Sequence, residues 1–489
     1  MSKLGVWRTM CLFCIFCAVG AIGASAQTFK SLVSFNGTNG FYPRAGLVQG
    51  VDANYYATTE YGGNLTCNAP NGCGMVFKMT PGGNLTALHR FDSTDGFNPD
   101  GLVLASNGSF YGTTYRGGAN KRGTVFKITS QGKLTTLLSF NYPRASHDGA
   151  LVQATDGNFY GEGEGTATPG TVNRITAAGK LTRLYKFCSL QNCIDGQDPD
   201  GGLVQAADGN FYGITIYGGT SSGCGGGGCG TVFKMTPSGM LTSLYSFCSQ
   251  PNCTDGMFPI GPLVQATDGS FYGTTQSGGA GCPGCGTVFK ITPAGTLTTL
   301  YSFCSLTNCA DGELPSAGLV QATDGNLYGT TAWGGNCSNC GTVFEITTGG
   351  KLTTLYSFCP QPKCTDGAQP FAELVQGTDG ILYGTTTVGG DVSCNYGAGC
   401  GTVFSLSVGL GPFVETNPTS GKVSRPVTIL GNNLTDATGV TFNGTAATFT
   451  VVSSTEIKTT VPGGATTGFV EVTTTEGTLK SNVVFRVTQ

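Results

Sequence analysis

The stretch Leu319–Phe358, LVQATDGNLYGTTAWGGNCSNCGTVFEITTGGKLTTLYSF, is one copy of a phrase that occurs seven times between Leu47 and Phe404. A tyrosine in the YGTT-like core marks each copy, and successive copies lie 49 to 60 residues apart. These tyrosines are Tyr56, Tyr111, Tyr160, Tyr212, Tyr272, Tyr328 and Tyr383. A period of this length fits one blade of a β-propeller.

Each copy contains four segments in which apolar and polar residues alternate, and this pattern predicts four short strands. In the quoted copy the segments are LVQA, LYGTT, GTVFEIT and LTTLYSF. Short turns join the first strand to the second and the third to the fourth, and Asp-Gly in the first turn favours a tight hairpin. The other two connections are longer and vary between copies. We therefore expect short turns on one face of the ring and variable loops, suited to binding, on the other.

The two ends of the repeat array predict how it closes. Residues 28–35, TFKSLVSF, read as a fourth strand with no preceding strands, whereas the last copy stops after its third strand at residues 401–407. The N-terminal strand can therefore occupy the position of the fourth strand that the last copy lacks. The sequence thus predicts an all-β fold in which residues 27–408 form a seven-bladed β-propeller, closed by the N-terminal strand so that little sheet edge is exposed.

The N-terminus has the composition of a secretory signal. Lys3 and Arg8 precede an apolar run, 10–24, and small residues lead to a predicted cleavage site before Gln27. We expect residues 1–26 to be removed and the protein to be secreted, extracellular, periplasmic or at the cell surface, with no transmembrane segment after signal removal. The net charge of -3 and the scattered lysines and arginines indicate no nucleic-acid partner.

Cysteine usage agrees with an oxidising compartment. Eighteen cysteines follow the signal, they fall into nine local pairs, and copies that lack one member of a pair also lack the other. This pattern predicts nine disulfides: Cys67 with Cys73, Cys188 with Cys193, Cys224 with Cys229, Cys248 with Cys253, Cys282 with Cys285, Cys304 with Cys309, Cys337 with Cys340, Cys359 with Cys364, and Cys394 with Cys400. The alternative is a zinc site built from the CPGC and CSNC pairs at 282–285 and 337–340.

The repeated phrase GLVQATDGNFYGTT, followed by Gly-Gly and GTVFKITPAGTLTTLYSF, resembles the tandem repeats of secreted bacterial proteins called choice-of-anchor GloVer-containing proteins. The resemblance covers residues 28–407. It implies an exported or surface-associated protein, and it brings no established activity with it. This chain has no obvious sorting helix with a basic tail at its C-terminus.

Residues 412–489 have a different character, because cysteine disappears and short Thr- and Val-rich strands follow one another. About eighty residues of this kind suit a small β-sandwich. The segment 417–462 resembles the IPT/TIG immunoglobulin-like domain, and the residues that carry the resemblance are Pro418, Gly421, Gly431, Phe442, Asn443 and Gly444. The resemblance implies a spacer or a binding module, and the segment shows no basic cluster for DNA.

The third copy departs from the others and supplies the candidates for catalysis. Its YGTT becomes YGEGE, with Glu162 and Glu164, and His147 lies in the preceding loop. Two carboxylates and a histidine near the loop face could act as acid and base in a polysaccharide lyase or glycoside hydrolase. The alternative interpretation is a decayed repeat with exposed polar substitutions.

The position just before Gly-Gly supplies the candidates for ligand binding. It holds Tyr61, Arg116, Tyr217, Ser277, Trp333 and Val388. Aromatic rings on the rim could stack on sugar faces, and the alternative is simple loop packing. We take Tyr61, Arg116, Tyr217 and Trp333 as the predicted binding residues.

Two further positions of the repeat hold the same polar residue in most copies. The first is the aspartate of an Asp-Gly pair in the long loops. Together these aspartates could form a circle of carboxylates that holds Ca²⁺, although such an aspartate commonly caps its own turn. These residues are Asp95, Asp148, Asp195, Asp255, Asp311 and Asp366. The Gln of the first strand, as in Gln49 and Gln265, is expected to be a structural hydrogen bonder near the central channel. We predict no other cofactor.

Taken together, these patterns favour an exported, non-catalytic binding or surface-interaction protein. Its loop face would recognise a glycan, another extracellular polymer or a cell-surface component. The enzyme based on Glu162, Glu164 and His147 is the alternative, because none of the motifs of P-loop, nucleophile-elbow or HExxH enzymes is present.

Overall fold

A computed structural model of the protein describes residues 27–141, 150–165, 168–394 and 397–488, with the backbone alone for residues 164, 165 and 168. The predicted signal segment 1–26 and the candidate His147 therefore lie outside the described residues. Among the helices of the described chain, none has the length and apolar character needed to span a membrane.

Between Thr28 and Ser407 the described residues form seven four-stranded antiparallel sheets, and six of them take four consecutive strands each. Strand β1 (Thr28–Ser34) comes first in the chain. Sheet 1 contains β2 (Val48–Gln49), β3 (Tyr55–Thr59), β4 (Met75–Met79) and β5 (Leu85–Arg90). Sheet 2 contains β6 (Phe97–Leu104), β7 (Phe110–Arg116), β8 (Thr124–Ile128) and β9 (Leu134–Ser139). Sheet 3 contains β10 (Val152–Gln153), β11 (Phe159–Gly165), β12 (Thr168–Ile175) and β13 (Leu181–Lys186).

The next three sheets repeat the same order. Sheet 4 contains β14 (Val204–Gln205), β15 (Phe211–Thr215), β16 (Thr231–Met235) and β17 (Leu241–Ser246). Sheet 5 contains β18 (Met257–Gln265), β19 (Phe271–Ser277), β20 (Thr287–Ile291) and β21 (Leu297–Ser302). Sheet 6 contains β22 (Val320–Gln321), β23 (Leu327–Thr331), β24 (Thr342–Ile346) and β25 (Leu352–Ser357).

Sheet 7 joins the two ends of the array. It contains β26 (Val375–Gln376), β27 (Leu382–Thr386) and β28 (Thr402–Ser407), and β1 completes it on the outer side of β28. The two strands pair antiparallel, with Thr28 opposite Ser407 and Ser34 opposite Thr402. The predicted pairing of the N-terminal strand with the last repeat is therefore confirmed.

Hydrophobic clusters join neighbouring sheets in a circle. Phe35, directly after β1, packs edge-on against Phe77 of sheet 1 at a centroid distance of 5.5 Å, and Phe358 after sheet 6 does the same with Phe404 of sheet 7 at 5.2 Å. The described residues form seven such clusters, one for each pair of neighbours. The chain is thus an all-β, propeller-like ring with its core between the sheets.

The two faces of the ring differ in their connections. The turn face carries the short turns between the first two strands of each sheet, at residues 50–54, 105–109, 154–158, 206–210, 266–270, 322–326 and 377–381. The loop face carries the long loops, and their residues pair across them, as Gln197 with Tyr217 and Glu313 with Trp333. Four short 3-10 turns lie in these loops: Gln191–Cys193, Pro251–Cys253, Thr307–Cys309 and Pro362–Cys364.

On the turn face, the repeated Gln joins each sheet to the one before it. The Oε1 atom of Gln49 accepts a hydrogen bond from the backbone N–H of Thr378 at 3.0 Å, and its Nε2 donates to the Thr378 hydroxyl at 3.2 Å. Equivalent bonds to the preceding turn are made by Gln153, Gln205, Gln265, Gln321 and Gln376. The predicted structural role of this Gln is confirmed. In sheet 2 the same position holds Leu104.

We expect Gln49→Leu to lower the free energy of unfolding by about 1–3 kcal/mol, because it leaves the buried N–H of Thr378 without its acceptor. Leucine fits the site sterically, as Leu104 does in sheet 2. Gln265→Leu is the matched control, since its partner Ala207 is exposed and water can replace the lost bond. Urea unfolding measures both variants, and equal losses would contradict this explanation.

On the loop face, neighbouring sheets are also joined by a hydrogen bond between backbone groups. The residue before the loop proline has a left-handed backbone, as Phe258 does with φ 56° and Leu314 with φ 56°. Its N–H donates to the carbonyl of the preceding sheet, for example Leu314 to Cys285 at 3.0 Å. A non-glycine residue with a left-handed backbone is strained. Because this conformation recurs in several repeats, the inter-sheet hydrogen bond stabilises the chain by more than the strain costs. Gly286 must be glycine here, since φ is +87° and a Cβ would lie 2.6 Å from Cδ of Pro315.

All nine predicted disulfides are confirmed. Each closes a local loop of three to six residues on the loop face, from Cys67–Cys73 to Cys394–Cys400. The loops are therefore fixed on a ring that is itself held by two sets of inter-sheet bonds. A surface of this kind loses little conformational entropy when it binds a ligand.

After the ring, the C-terminal unit, Phe413–Thr488, forms two four-stranded sheets and one short parallel pair around its own core. One sheet has the order β29 (Glu415–Asn417), β31 (Pro426–Leu430), β35 (Glu456–Thr460) and β34 (Phe449–Ser453). The other has β33 (Thr445–Ala446), β32 (Gly439–Phe442), β36 (Val470–Thr474) and β37 (Gly477–Lys480). The pair is β30 (Ser420–Lys422) with β38 (Arg486–Thr488), and a 3-10 turn covers Leu434–Asp436.

Candidate binding cavity

The first strands of the seven sheets surround a central cavity of about 1230 Å³. Strands such as Val204–Gln205 and Val320–Gln321 supply its wall, together with the glycine-rich segments that precede them. The volume is comparable to that of sites for large ligands. Every sheet contributes lining residues, so residues from all seven repeats converge on this cavity.

Charged residues line the cavity in the segments that follow the loop prolines. Arg44, Asp100 and Asp200 occupy the same position of their repeats, directly after the loop proline, and all three line the cavity. Glu60, at the loop-face end of β3, and Glu373, just before β26, add two carboxylates. Glycines, small apolar residues and the repeated Gln side chains supply much of the remaining wall, so these charged groups contribute to the choice of ligand.

The C-terminal unit supplies the wall of the cavity at the turn face. Glu415, Thr416, Asn417 and Arg425 are among its lining residues. Asn417 lies within hydrogen-bond distance of the Leu104 carbonyl on the turn face of sheet 2. The cavity is therefore bounded by both parts of the chain.

Two of the lining carboxyl groups are strongly affected by their surroundings. Burial raises the pKa of Glu373 to about 7, and burial does the same for Glu415. Both residues are partly exposed, and both line the cavity. Near neutral pH each group is divided between its acid and its carboxylate, so it can donate or accept a hydrogen bond. Such groups suit a ligand rich in hydroxyls.

The predicted binding residues lie on the loop face, and the structure brings only two of them together. Tyr61 packs face to face with Phe41 at 5.1 Å. Its hydroxyl has a pKa raised to about 12, mainly by burial and by Glu60, whereas the nearby Arg116 acts to lower it. Arg116 is exposed, with its guanidinium 5.8 Å from the Phe97 ring. Sheets 1 and 2 therefore place an aromatic ring and a cation side by side.

Tyr217 and Trp333 lie on sheets 4 and 6, which are not neighbours. Tyr217 is 40% exposed and packs edge-on against Phe258 at 5.5 Å, and Trp333 is 37% exposed. None of the four predicted residues is among the described residues that line the cavity. They lie on the loop face, and their role in ligand binding stays a prediction.

Glu162 lies between two sheets and not on the loop face as the sequence suggested. It is 2% exposed, and its Oε2 accepts hydrogen bonds from the backbone N–H groups of Gly201 at 3.1 Å and Gly202 at 2.8 Å. Its Oε1 is buried and has no hydrogen-bond partner. Burial raises its pKa to about 7, and the two backbone bonds oppose that shift. The side chain of Glu164 and all of His147 lie outside the described residues, so the catalytic hypothesis stays a prediction.

The loop aspartates cap their own turns. Asp195 accepts hydrogen bonds from the Tyr185 hydroxyl at 2.8 Å and from the backbone N–H groups of Ser189 and Leu190 at 2.9 and 3.2 Å. Burial acts to raise the pKa of Asp195, but these bonds hold it below its usual value. Asp255 and Asp311 make the same set of bonds. Asp366 accepts from the Tyr356 hydroxyl at 2.9 Å and from the Cys359 N–H at 3.0 Å, whereas Asp148 lies outside the described residues. The Ca²⁺ site considered from the sequence gains no support from these four described aspartates, because each of them accepts hydrogen bonds from its own loop and from the strand that leads into it.

Among the described residues, four groups could hold a metal, three made of cysteine sulfurs and one of Cys304, Cys309 and Glu313. Three triads bring Sγ atoms within 4.8 Å of one another, for example Cys282 and Cys285 with Cys304. In each triad two sulfurs belong to one disulfide and the third belongs to the next. The CPGC and CSNC pairs are each bonded internally, so their sulfurs become thiolate ligands only after reduction.

The cavity carboxylates were missed from the sequence, although a signal for them exists. The residue after the loop proline varies while its surroundings are constant: Arg44, Asp100, Asp200, Ile260, Ser316 and Phe371. A variable position inside a constant phrase points to a surface that each copy shapes differently. Glu415 carries no comparable signal, because it comes from outside the repeat.

The fold and its cavity define a class of all-β repeat proteins whose sheets are arranged in a propeller-like ring. The chain belongs to the Gloeobacter/Verrucomicrobia repeat family, whose model matches residues 18–161, 132–310 and 216–452. No curated protein matches the sequence.

Several solved structures are similar to the chain at low identity. The extracellular domain of a proposed hybrid two-component system from B. thetaiotaomicron is 10% identical, with 95% of this chain and 60% of that one covered and a TM-score of 0.47. A luciferin-regenerating enzyme is 14% identical, with 64% and 93% covered and a TM-score of 0.40. A proposed gluconolactonase is 12% identical, with 79% and 94% covered and a TM-score of 0.37.

Proposed function

We propose that this chain is an exported, non-catalytic binding protein that recognises a glycan or another extracellular polymer. Its sheets would be the blades of a closed seven-bladed β-propeller, and its C-terminal unit would be an immunoglobulin-like IPT/TIG β-sandwich. The ligand would enter the central cavity from the loop face. The observation that carries the proposal is the cavity itself, in which hydrogen-bonding groups from several repeats converge on a rigid wall.

Further features support export and sugar binding. Nine disulfides fit an extracellular or secreted protein, and the N-terminal segment has the composition of a signal peptide. Carboxyl groups and arginines at the cavity, together with exposed aromatic rings on the loop face such as Trp333, match the way in which proteins bind hydroxyl-rich, flat-faced sugars.

A glycan array probed with the purified, disulfide-bonded chain tests the proposal. We expect binding to a subset of glycans, and about tenfold weaker binding for Glu373→Gln, because a ligand-facing carboxyl group is lost. Trp333→Ala should have a smaller effect. Glu476→Gln is the matched control, since it changes an exposed carboxyl group outside the cavity wall. Absence of binding to any glycan by the folded chain would contradict the glycan proposal, and hydrolysis or elimination that is lost in Glu162→Gln would favour the enzyme.

A further inference from the structure

The C-terminal unit contacts the turn face of the ring at four of its sheets. Its side chains donate hydrogen bonds to turns of sheets 7, 1, 2 and 4. The pairs are Asn432 with Thr378, Thr455 with Val51, Asn417 with Leu104 and Ala105, and Arg486 with Ala206. In a circle of seven sheets, sheet 4 lies opposite sheets 7 and 1. A body that contacts both sides must bridge the end of the central cavity.

These contacts use hydrogen-bond acceptors that the ring exposes on its turn face. Thr378 accepts two hydrogen bonds from the unit. Its hydroxyl accepts from the Asn432 side chain at 2.7 Å, and its carbonyl accepts from the Phe413 N–H at 3.1 Å. Asn417 reaches the carbonyls of Leu104 and Ala105, at the joint where leucine replaces the repeated Gln. Because Thr455 of the same unit donates to the Val51 carbonyl of sheet 1, the unit connects sheets 1 and 2 across the joint that lacks the Gln bond.

The same unit places its own residues in the cavity. Strand Glu415–Asn417 and the residues that follow it line the cavity at the turn face, and Arg425 and Arg486 lie beside them. Lining residues at the other end, such as Tyr115 and Gln276, come from the loop face of the ring. The two ends of the cavity thus differ: one meets a second folded unit, and the other is surrounded by loops.

We propose that the C-terminal unit is the fixed floor of the ligand cavity and that it contributes Glu415 to ligand binding. The cavity is then entered only from the loop face. This inference rests on the proposed function only where it names the cavity as the ligand site. Its consequence is that a polymer enters with one end first, because the middle of a long chain would need an exit through the floor.

Chemical modification tests access without any ligand. The probe is a water-soluble carbodiimide with glycine ethyl ester, applied to the folded full-length chain, and mass spectrometry follows the rate of modification at Glu373 and Glu415. The double variant Arg486→Ala with Asn432→Ala loosens the floor, and we expect modification of both residues to be about fivefold faster than in the parent chain. Ala150→Trp with Gln276→Trp narrows the loop-face end and should slow modification about threefold.

Leu306→Trp, at an exposed loop tip outside the cavity wall, is the control and should leave both rates unchanged. Thermal unfolding verifies that each variant is folded. Unchanged rates in both double variants, or slower modification in the loosened floor, would overturn the inference. Because no glycan is used, this result is independent of the outcome of the glycan array.

Discussion

Phe35→Ala is expected to lower the free energy of unfolding by about 3–5 kcal/mol, the cost of removing a fully buried phenylalanine. Phe35 follows the N-terminal strand, is 0% exposed, and packs against Phe77 of the first repeat. Its N–H also donates to the Gly401 carbonyl at 3.1 Å. The effect is large because this side chain fills the joint between the two ends of the chain. Equilibrium unfolding in urea measures it.

The matched control is Phe303→Ala. Phe303 is the equivalent residue after sheet 5, is also 0% exposed, and packs edge-on against Phe344 at 5.2 Å. The two variants should lose similar stability, since the N-terminal strand completes sheet 7 as the fourth strand completes every other sheet. Leu306→Ala, at a 56% exposed position, should change stability by less than about 0.5 kcal/mol. A neutral Phe35→Ala beside a damaging Phe303→Ala would show that the N-terminal strand is not part of the folded ring.

The strand pairings and the disulfides could be read from the sequence because they repeat. An alternating pattern that appears in one copy and again in the next is repeated evidence for the same strand. The segment 28–35 has no preceding strands, and this identified the last repeat as its partner. Cysteines that are gained and lost together identified their bonding partners. The Gln of the first strand was placed correctly for the same reason, as the bonds of Gln49 show.

The cavity and its floor could not be predicted in the same way. Its charges come from single variable positions, such as Arg44 and Asp200, which converge only when the ring is closed. The docking of the C-terminal unit depends on individual side chains, including Asn417 and Arg486, that occur once in the chain. A contact that occurs once leaves no pattern in a single sequence.

Glu162 illustrates a third limit. In sheet 5 the equivalent Thr274 donates to the Ala317 carbonyl at 2.9 Å, which is a contact with the segment ahead of the next sheet. Glu162 reaches the corresponding segment but accepts hydrogen bonds from Gly201 and Gly202. The sequence suggested an exposed catalytic group because Glu is usually found in solvent. The period-two pattern of its strand, which places it on the same side as the buried Tyr160, was the better guide.

The stability of the chain should therefore depend on pH through Glu162. Its pKa is about 7 in the folded chain, compared with the ordinary glutamate value of 4.5 that applies to the unfolded chain, so the unfolded chain releases this proton first as pH rises. The folded state consequently loses stability between about pH 4.5 and 7, by about 3 kcal/mol for this group. We expect the free energy of unfolding of Glu162→Gln, relative to the parent chain, to increase by about that amount over the same window. Urea unfolding at both pH values measures the change.

The comparison between variant and parent isolates this one group. Glu373 and Glu415 also have pKa values near 7 and shift stability in the same direction, but both remain in Glu162→Gln and cancel in the difference. The buried amide of the new glutamine adds a cost that is the same at both pH values, so it does not affect the slope. A difference that stays constant with pH would mean that the Glu162 carboxylate is ionised in the folded chain. Its unpartnered Oε1 would then have access to water, as a group that exchanges protons with a substrate requires.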